Sequence, residues 1–491
     1  MAAMIQGYDP RTGQPAGDPV PETADDQVDA IAQAAAAASG PWEQAGPAGR
    51  AAALEAVASA LDAAAAELVA AADTETALGT ARLTGEVARA TGQLRHFATV
   101  LADGGYADAV VSLGGEGVPG LRRVNRPIGP VAVFAASNFP FAFSVAGNDT
   151  ASALAAGCPV VVKAHEGHPR TSALTARIVA GALAGAGAPA GTFAVVFGVA
   201  AGVRLLQHPA IAAAGFTGSA RGGLALAAIC AQRPVPIPFF GELGSVNPVV
   251  ILPGAAAARP ADIAAGYAAS LTLGVGQFCT NPGLLFVPAG DERLRPAIAG
   301  AIQASAGGPM LTARIHDSFS AAVAELGARP GVAELAEGQA GEGPWSATPA
   351  VFEVGLADFA AGLPGLAQER FGPAGLVITY RSLADLLPVL ARLGGNLAGV
   401  VHADEASAAD MELARQVADV LAQTVGRVVF NGWPTGVAVT HAQHHGGPWP
   451  ASTAPAYTSV GAAAIRRWLV PVAYQDFPAE LLPAALSRGD R

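Results

Sequence analysis

Apolar residues recur at helical spacing through residues 24–103, as in Val28, Ile31 and Ala35 and then Leu54, Val57, Leu61 and Leu68. This period predicts a stack of helices, each with one buried face. The pattern changes at 106–135, where Ala109-Val110-Val111-Ser112-Leu113, a glycine-rich turn and Leu121-Arg122-Arg123-Val124 predict a hairpin that feeds a buried strand at 131–134. From there short β-branched runs (131–134, 160–162, 193–197, 211–216) alternate with Ala/Leu-rich helical stretches (144–156, 170–185, 202–207, 222–231). That rhythm is the βαβ signature of a doubly wound parallel sheet. Further strands near 249–252, 284–287 and 375–380 predict a second α/β lobe, with 326–350, rich in Gly, Ala and Glu, as an exposed connection inside it. The aromatic, proline-rich stretch 446–476 reads as an arm. The expected fold class is therefore α/β, with two doubly wound parallel-sheet lobes plus a hairpin and C-terminal arm.

Composition narrows the function classes. The chain has 491 residues, with 28 Lys plus Arg against 39 Asp plus Glu and a net charge of −11, which speaks against a generic nucleic-acid binder. A hydrophobic fraction of 52% with 14% charged residues is ample for large cores and rules out disorder as the main state. Much of the apolar content is Ala, so the positive mean hydropathy is no membrane signal, and the most apolar windows, 131–147 and 211–230, are broken by Asn138 and Pro140 or by Arg221 and glycines. Residues 1–22 carry Asp9, Arg11 and Asp18 without an apolar core, so the expected compartment is the cytoplasm, with no membrane partner. Three cysteines, Cys158, Cys230 and Cys279, make no disulfide framework and show no zinc spacing, so no metal is expected.

A few positions carry chemistry. Cys279 sits between Gly274, Gly276 and Pro282, in a turn that can expose a thiol, whereas Cys158 and Cys230 read as inert buried cysteines. Glu242, set among apolar residues in Phe239-Phe240-Gly241-Glu242-Leu243-Gly244, is placed for burial to raise its pKa toward that of a general base, and it reads equally as an ordinary surface Glu. Asn138 follows the strand at 131–134 directly, either as an oxyanion donor or as a turn Asn. Phe216-Thr217-Gly218-Ser219 is a strand-to-helix turn of the kind that holds a pyrophosphate, though it is not a GxGxxG fingerprint. Lys163, ending its strand, either reaches ribose hydroxyls or is simply solvated.

Taken together and in this order, Ser137-Asn138-Phe139-Pro140, Val161-Val162-Lys163, Phe216-Thr217-Gly218-Ser219, Gly241-Glu242-Leu243-Gly244, Gly276-Gln277-Phe278-Cys279-Thr280, Glu369-Arg370-Phe371-Gly372-Pro373 and Phe430-Asn431-Gly432 make the chain resemble the aldehyde dehydrogenase superfamily over nearly its whole length. Within it the chain looks most similar to the bacterial 2,5-dioxovalerate (α-ketoglutaric semialdehyde) dehydrogenases, through the run from Gly129 to Pro140, Ala164-His165 and the tail Val472-Ala473-Tyr474-Gln475-Asp476-Phe477-Pro478. The resemblance implies an NAD(P)-binding domain at 1–105 and 127–240, a catalytic domain at 241–440, and an oligomerisation hairpin and arm at 106–126 and 441–491.

It also implies a reaction. Cys279 is the nucleophile, Asn138 and the Cys279 amide hold the oxyanion, and Glu242 activates the water that releases a carboxylic acid, in contrast to the members that release product to CoA. Lys163, Glu166, Gly218, Ser219, Glu369 and Phe371 are the implied cofactor contacts, and His441 and Phe143 the implied substrate contacts. Glu166 stands where NAD-using relatives bind the ribose hydroxyls, opposed to a 2′-phosphate unless Arg170 or Arg204 takes it, so NADP or NAD, with dual use, is the cofactor expectation. The distal end of a semialdehyde acid calls for cations, for which His441, His444, His445, Arg122 and Arg123 are candidates. The implied activity is oxidation of 2,5-dioxovalerate to 2-oxoglutarate. The alternatives are an NADP-dependent dehydrogenase of medium- or long-chain aliphatic aldehydes and a catalytically inactive nucleotide-binding homologue. A homodimer or homotetramer is expected from the apolar tail and hairpin.

Overall fold

The structure, a computed structural model, describes residues 3–116 and 118–487; residues 1–2 and 488–491, at the ends of the expected NAD(P)-binding domain and arm, and residue 117, inside the expected hairpin 106–126, lie outside the described residues. The Ala-rich N-terminal region forms four helices, Asp25–Gln44, Gly46–Ala63, Ala65–Thr76 and Thr80–Asp103, as alanine's helix propensity dictates. They are tied to the first lobe by polar contacts as well as packing. The buried Trp42 indole donates to the Leu154 carbonyl, which also accepts from Gly157 N–H, and Arg50 Nε donates to the carbonyl of Ala155, at the end of helix Asn148–Ala156.

The first sheet has five parallel strands in the order Phe239–Glu242, Ala213–Thr217, Val131–Phe134, Val160–Lys163, Phe193–Val196. Val131–Phe134 and Val160–Lys163 are buried at every position, which is why their sequences run apolar without alternating. The chain starts at the central strand, works outward to 193–196, then returns to the other side at 213–217. The resulting switch point lies between the C-terminal ends of Val131–Phe134 and Ala213–Thr217. Asn138 and Gly218-Ser219 follow those two ends, while Lys163 and Glu242 close their own strands, so one edge of the sheet gathers them all.

The second sheet has seven strands, ordered Ala333–Glu337, Ala350–Gly355, Ala374–Tyr380, Leu284–Pro288, Val249–Ile251, Asn396–His402, Val425–Phe430. All neighbours are parallel except the first pair. This lobe works from the opposite strand ends: the loop bearing Cys279 precedes Leu284–Pro288, and the loop bearing Glu369 precedes Ala374–Tyr380.

Two expectations require correction. Residues 326–350 are not merely an exposed connection: 333–337 is the edge strand of the second sheet, with a bulge between Glu334 and Ala336, and Ala336 and Ala347 are buried. Its mix of Gly and Glu hides the strand because only one face and one edge are covered. The stretch 446–476 is not a single arm. Residues up to 468 are built into the body, where Trp468 is fully buried with its indole N–H on Ser152 Oγ, and Arg467 pairs with Asp149. Leu469–Gln475 then leaves the body to pair antiparallel with Leu121–Pro127, which pairs in turn with Val110–Ser112. Among the described residues no helix is long and apolar enough to cross a membrane.

Candidate active site

The loop before Leu284–Pro288 is bent by three successive residues of positive φ, Gly274, Val275 and Gly276. A side chain at Gly276 would run into the Gly372 backbone at 2.2 Å, so the position needs glycine for space as well as for φ. Val275, at φ 56°, has no such freedom and stores strain beside the thiol. Asn247 clamps the far side by donating from Nδ2 to the carbonyls of Cys279 and Asn281 at 2.8 and 2.9 Å. Cys279 is the partly exposed one of the three cysteines, and among the described residues its backbone N–H has no acceptor.

Glu242 ends strand Phe239–Glu242 and is buried. The tail holds it there: Ser452 forms a bridge with Glu242, Leu243 N–H donates to Ala451, and Ser459 Oγ donates to Glu242 Oε2 at 3.1 Å. His445 Nε2 stands 3.2 Å from Glu242 Oε2 and 3.6 Å from Cys279 Sγ. Burial alone would lift the Glu242 pKa, as the sequence suggests, but His445, the Cys279 thiol and Ser459 outweigh it and hold the carboxyl below its usual value. The thiol goes the other way, pushed well up by burial and by the carboxylates of Glu242 and Glu369, against an opposing pull from Arg89. The donor atoms of Glu242, Cys279 and His445 lie within 4.8 Å of one another, a spacing that can also hold a metal ion, although none was expected from the sequence.

Asn138 is buried and donates from Nδ2 to the Gln277 carbonyl at 3.0 Å, which brings the two lobes together beside the thiol. Arg82 Nη2 donates to the Asn138 carbonyl at 2.7 Å. Glu369 and Phe371 line a cleft with Ser245 and Phe278. Glu369 accepts a hydrogen bond from Ser245 N–H at 3.3 Å, and burial pushes its carboxyl up to about 7 despite that bond.

On the other side of the switch point, Ser219 caps helix Ala220–Gln232 by accepting from Gly222 N–H, and Gly218 N–H donates to the Glu242 carbonyl. Lys163 is buried at its strand end and ion-paired to Glu166; burial lowers its pKa, helped by the positive charge of Arg314 and opposed by Glu166. These donors suit a dinucleotide: a capped helix N-terminus for phosphate, an ammonium and a carboxylate for ribose hydroxyls, and a buried carboxyl facing the thiol lobe. Neither arginine suggested for a 2′-phosphate stands free. Arg204 forms a two-point pair with Asp29, and Arg170 reaches the Ala16 carbonyl.

His441 packs edge-on against His96, at 5.1 Å between ring centres, and the histidine at the thiol is His445. Its sequence signal is the turn His445-Gly446-Gly447, in which Gly447 presses on the Asn396 carbonyl and leaves no room for a side chain. Phe143 lies in an aromatic cluster with Phe139, which also contacts Phe278. Arg122 and Arg123 belong to strand Leu121–Pro127 of the small sheet, with Arg123 paired to Asp108. Arg82 and Arg89 escaped the sequence reading because charged residues seven apart on a helix usually face water.

Here the fold, the paired thiol and carboxylate, and the comparisons meet. The profile of the aldehyde dehydrogenase family matches residues 2–452, and the chain belongs to that family. It is 45% identical over 499 aligned residues to α-ketoglutaric semialdehyde dehydrogenase 2 of Azospirillum brasilense, covering 100% of this chain and 94% of that protein. It is 41% identical over 407 residues to α-ketoglutaric semialdehyde dehydrogenase of Acinetobacter baylyi, covering 81% of this chain and 77% of the relative. In fold it matches a crystal structure of a mutant of aldehyde dehydrogenase C from Pseudomonas syringae in complex with NAD+ and octanal, with a TM-score of 0.81, 23% identity and coverage of 96% of this chain and 93% of that one.

Proposed function

We propose that the protein oxidises 2,5-dioxovalerate to 2-oxoglutarate through a cysteine thioester that water, rather than CoA, resolves. The observation that carries the chemistry is the cluster of Cys279, His445 and Glu242 opposite the Asn138 amide. The substrate is proposed from the two semialdehyde dehydrogenases above.

In this reading His445 starts as the tautomer with its proton on Nδ1, takes the thiol proton on Nε2, and the imidazolium so formed donates that N–H to the Glu242 carboxylate until the proton returns to the sulfur at the end of the cycle. The Cys279 thiolate adds to the aldehyde carbon, and the new oxyanion is met by Asn138 Nδ2–H and the unpaired Cys279 N–H, each such donor being worth roughly 3 kcal/mol. Lys163, Glu166, Gly218, Ser219, Glu369 and Phe371 would hold NAD or NADP, which when bound would accept the hydride that leaves the former aldehyde carbon as the oxyanion collapses. Collapse of the oxyanion leaves a thioester on Cys279. Glu242 then draws a proton from a water, which attacks the thioester carbon and releases the acid and the thiolate.

The small sheet gives a candidate oligomer contact. Among the described residues strand Leu469–Gln475 is an unpaired edge, and Val470, Leu121 and Val110 are exposed on the same sheet. A homodimer or homotetramer built on this edge, in the cytoplasm, completes the proposal; sedimentation as a monomer would remove it. The reaction is tested by measuring reduced-cofactor formation from 2,5-dioxovalerate, succinic semialdehyde, hexanal and tetradecanal with NAD and with NADP. The expected result is the highest kcat/KM with 2,5-dioxovalerate. Faster use of hexanal or tetradecanal overturns the substrate assignment, and no turnover of any aldehyde overturns the reaction.

A further inference from the structure

Helix Thr80–Asp103 turns Arg82, Glu86 and Arg89 toward one aromatic cluster. The Arg89 guanidinium carbon lies 5.7 Å from the Phe139 ring centre and 5.2 Å from that of Phe143. Arg82 lies 4.9 Å from the ring centre of Phe278. Phe139 follows the oxyanion donor Asn138 and Phe278 precedes the nucleophile Cys279, so the two guanidinium groups form the next layer beyond the reacting atoms.

Their bonding differs. Arg82 gives Nη2 to the Asn138 carbonyl and keeps a single buried nitrogen, Nη1, without a partner among the described residues. Arg89 has buried Nε and Nη2 atoms with no hydrogen-bond partner among the described residues. Glu86, the nearest carboxyl along the helix, spends Oε1 on the N–H groups of Phe141 and Ala142, and burial pushes its pKa up to about 7. Two half-buried cations thus face one weak anion. A guanidinium does not shed its proton to relieve this, and leaving buried N–H groups unmatched is costly. Nε and a terminal nitrogen left free together form the fork that takes a carboxylate in two parallel hydrogen bonds. The positive charge of Arg89 is also felt at the Cys279 thiol, which places it within electrostatic reach of a short substrate attached there.

We infer that Arg89 receives the distal carboxylate of the substrate and is the residue that selects a semialdehyde acid over an uncharged aldehyde of equal length. This rests on the reaction proposed above. It explains why a cation is placed among phenylalanines, where a fatty chain would be served better by Leu or Met.

The test compares wild type, Arg89→Met and Arg89→Lys on 2,5-dioxovalerate and pentanal, with melting temperatures recorded for all three. In Arg89→Met the ratio of kcat/KM for 2,5-dioxovalerate to that for pentanal is expected to fall about 30-fold or more, as expected for losing one partner of a buried charge pair. The loss should lie mainly in KM, and Arg89→Lys should recover part of it. An unchanged ratio overturns the assignment of Arg89. A wild type with no preference for 2,5-dioxovalerate overturns the substrate reading instead, and glutarate inhibition of pentanal oxidation then decides for Arg89: weaker inhibition in Arg89→Met supports it, and equal inhibition removes it.

Discussion

His445 presents Nε2 to Cys279 Sγ at 3.6 Å, across a sequence separation of 166 residues. The same nitrogen is 3.2 Å from Glu242, so one imidazole touches both the group that must lose a proton and the group that must later take one. Burial and two carboxylates push the thiol pKa up, so forming the thiolate calls for a local proton acceptor.

Replacing His445 by Ala is therefore expected to lower kcat/KM by about 100-fold, the usual scale for a general base. The pH at which Cys279 becomes half-reactive toward iodoacetamide should move upward. Cys158 and Cys230, both buried with pKa values raised to about 12 and about 11, should give little background. An unaltered alkylation profile would show that the imidazole takes no part in thiol activation.

Glu242→Gln keeps a hydrogen-bonding side chain for His445 and Ser459 but cannot take a proton. Rapid mixing should show a burst of about one reduced cofactor per active site, then turnover slower by about 100-fold or more, since acylation survives and thioester hydrolysis does not. A mutant with no burst would place Glu242 in the first half-reaction.

Glu166 is ion-paired to the buried Lys163 at the strand end where a ribose is expected. A carboxylate there opposes a 2′-phosphate, and Glu166→Gln should shift the NADP/NAD ratio of kcat/KM toward NADP by about 10-fold, within the range of a single close charge repulsion. An unmoved ratio would mean that Glu166 does not face the ribose.

Glu86 gives a pH dependence of stability. Its folded-state pKa, about 7, exceeds the ordinary value of 4.5 because burial penalises the charged form. Between those values the folded state binds the extra proton, so this group lowers stability as pH rises from about 4.5 to about 7, by up to about 3 kcal/mol, and adds no further change above. Glu86→Gln, which retains the acceptor for Phe141 and Ala142, should therefore raise Tm more at pH ~8 than at pH ~5. Equal shifts at both pH values would refute the raised pKa.

The division between sequence and tertiary structure follows from what local patterns encode. The strands at 131–134 and 160–163, the switch-point turn at Gly218 and the glycine-bent thiol loop were all readable, because an apolar run, a glycine turn and a strand end each state their own environment. The edge strand Ala333–Glu337 was not, since a strand covered on one side carries a half-polar sequence. Asn138, Glu242 and Cys279 were legible as a set through their order in the family motifs. Which histidine meets the thiol was not legible. His441, His444 and His445 share one loop, and the choice depends on how Ser452 and Ser459 stitch that loop to Glu242. Arg89 is hidden for the same reason, being an arginine on an amphipathic helix until the Asn138 loop covers it with Phe139 and Phe143. The sequence by itself determined the lobes, the reaction class and the motif cysteine proposed as nucleophile, because those are written in period and motif. The tertiary structure alone decided which histidine stands beside the thiol and which arginine is left short of partners, because these depend on which distant segments close over a polar side chain and exclude water from it.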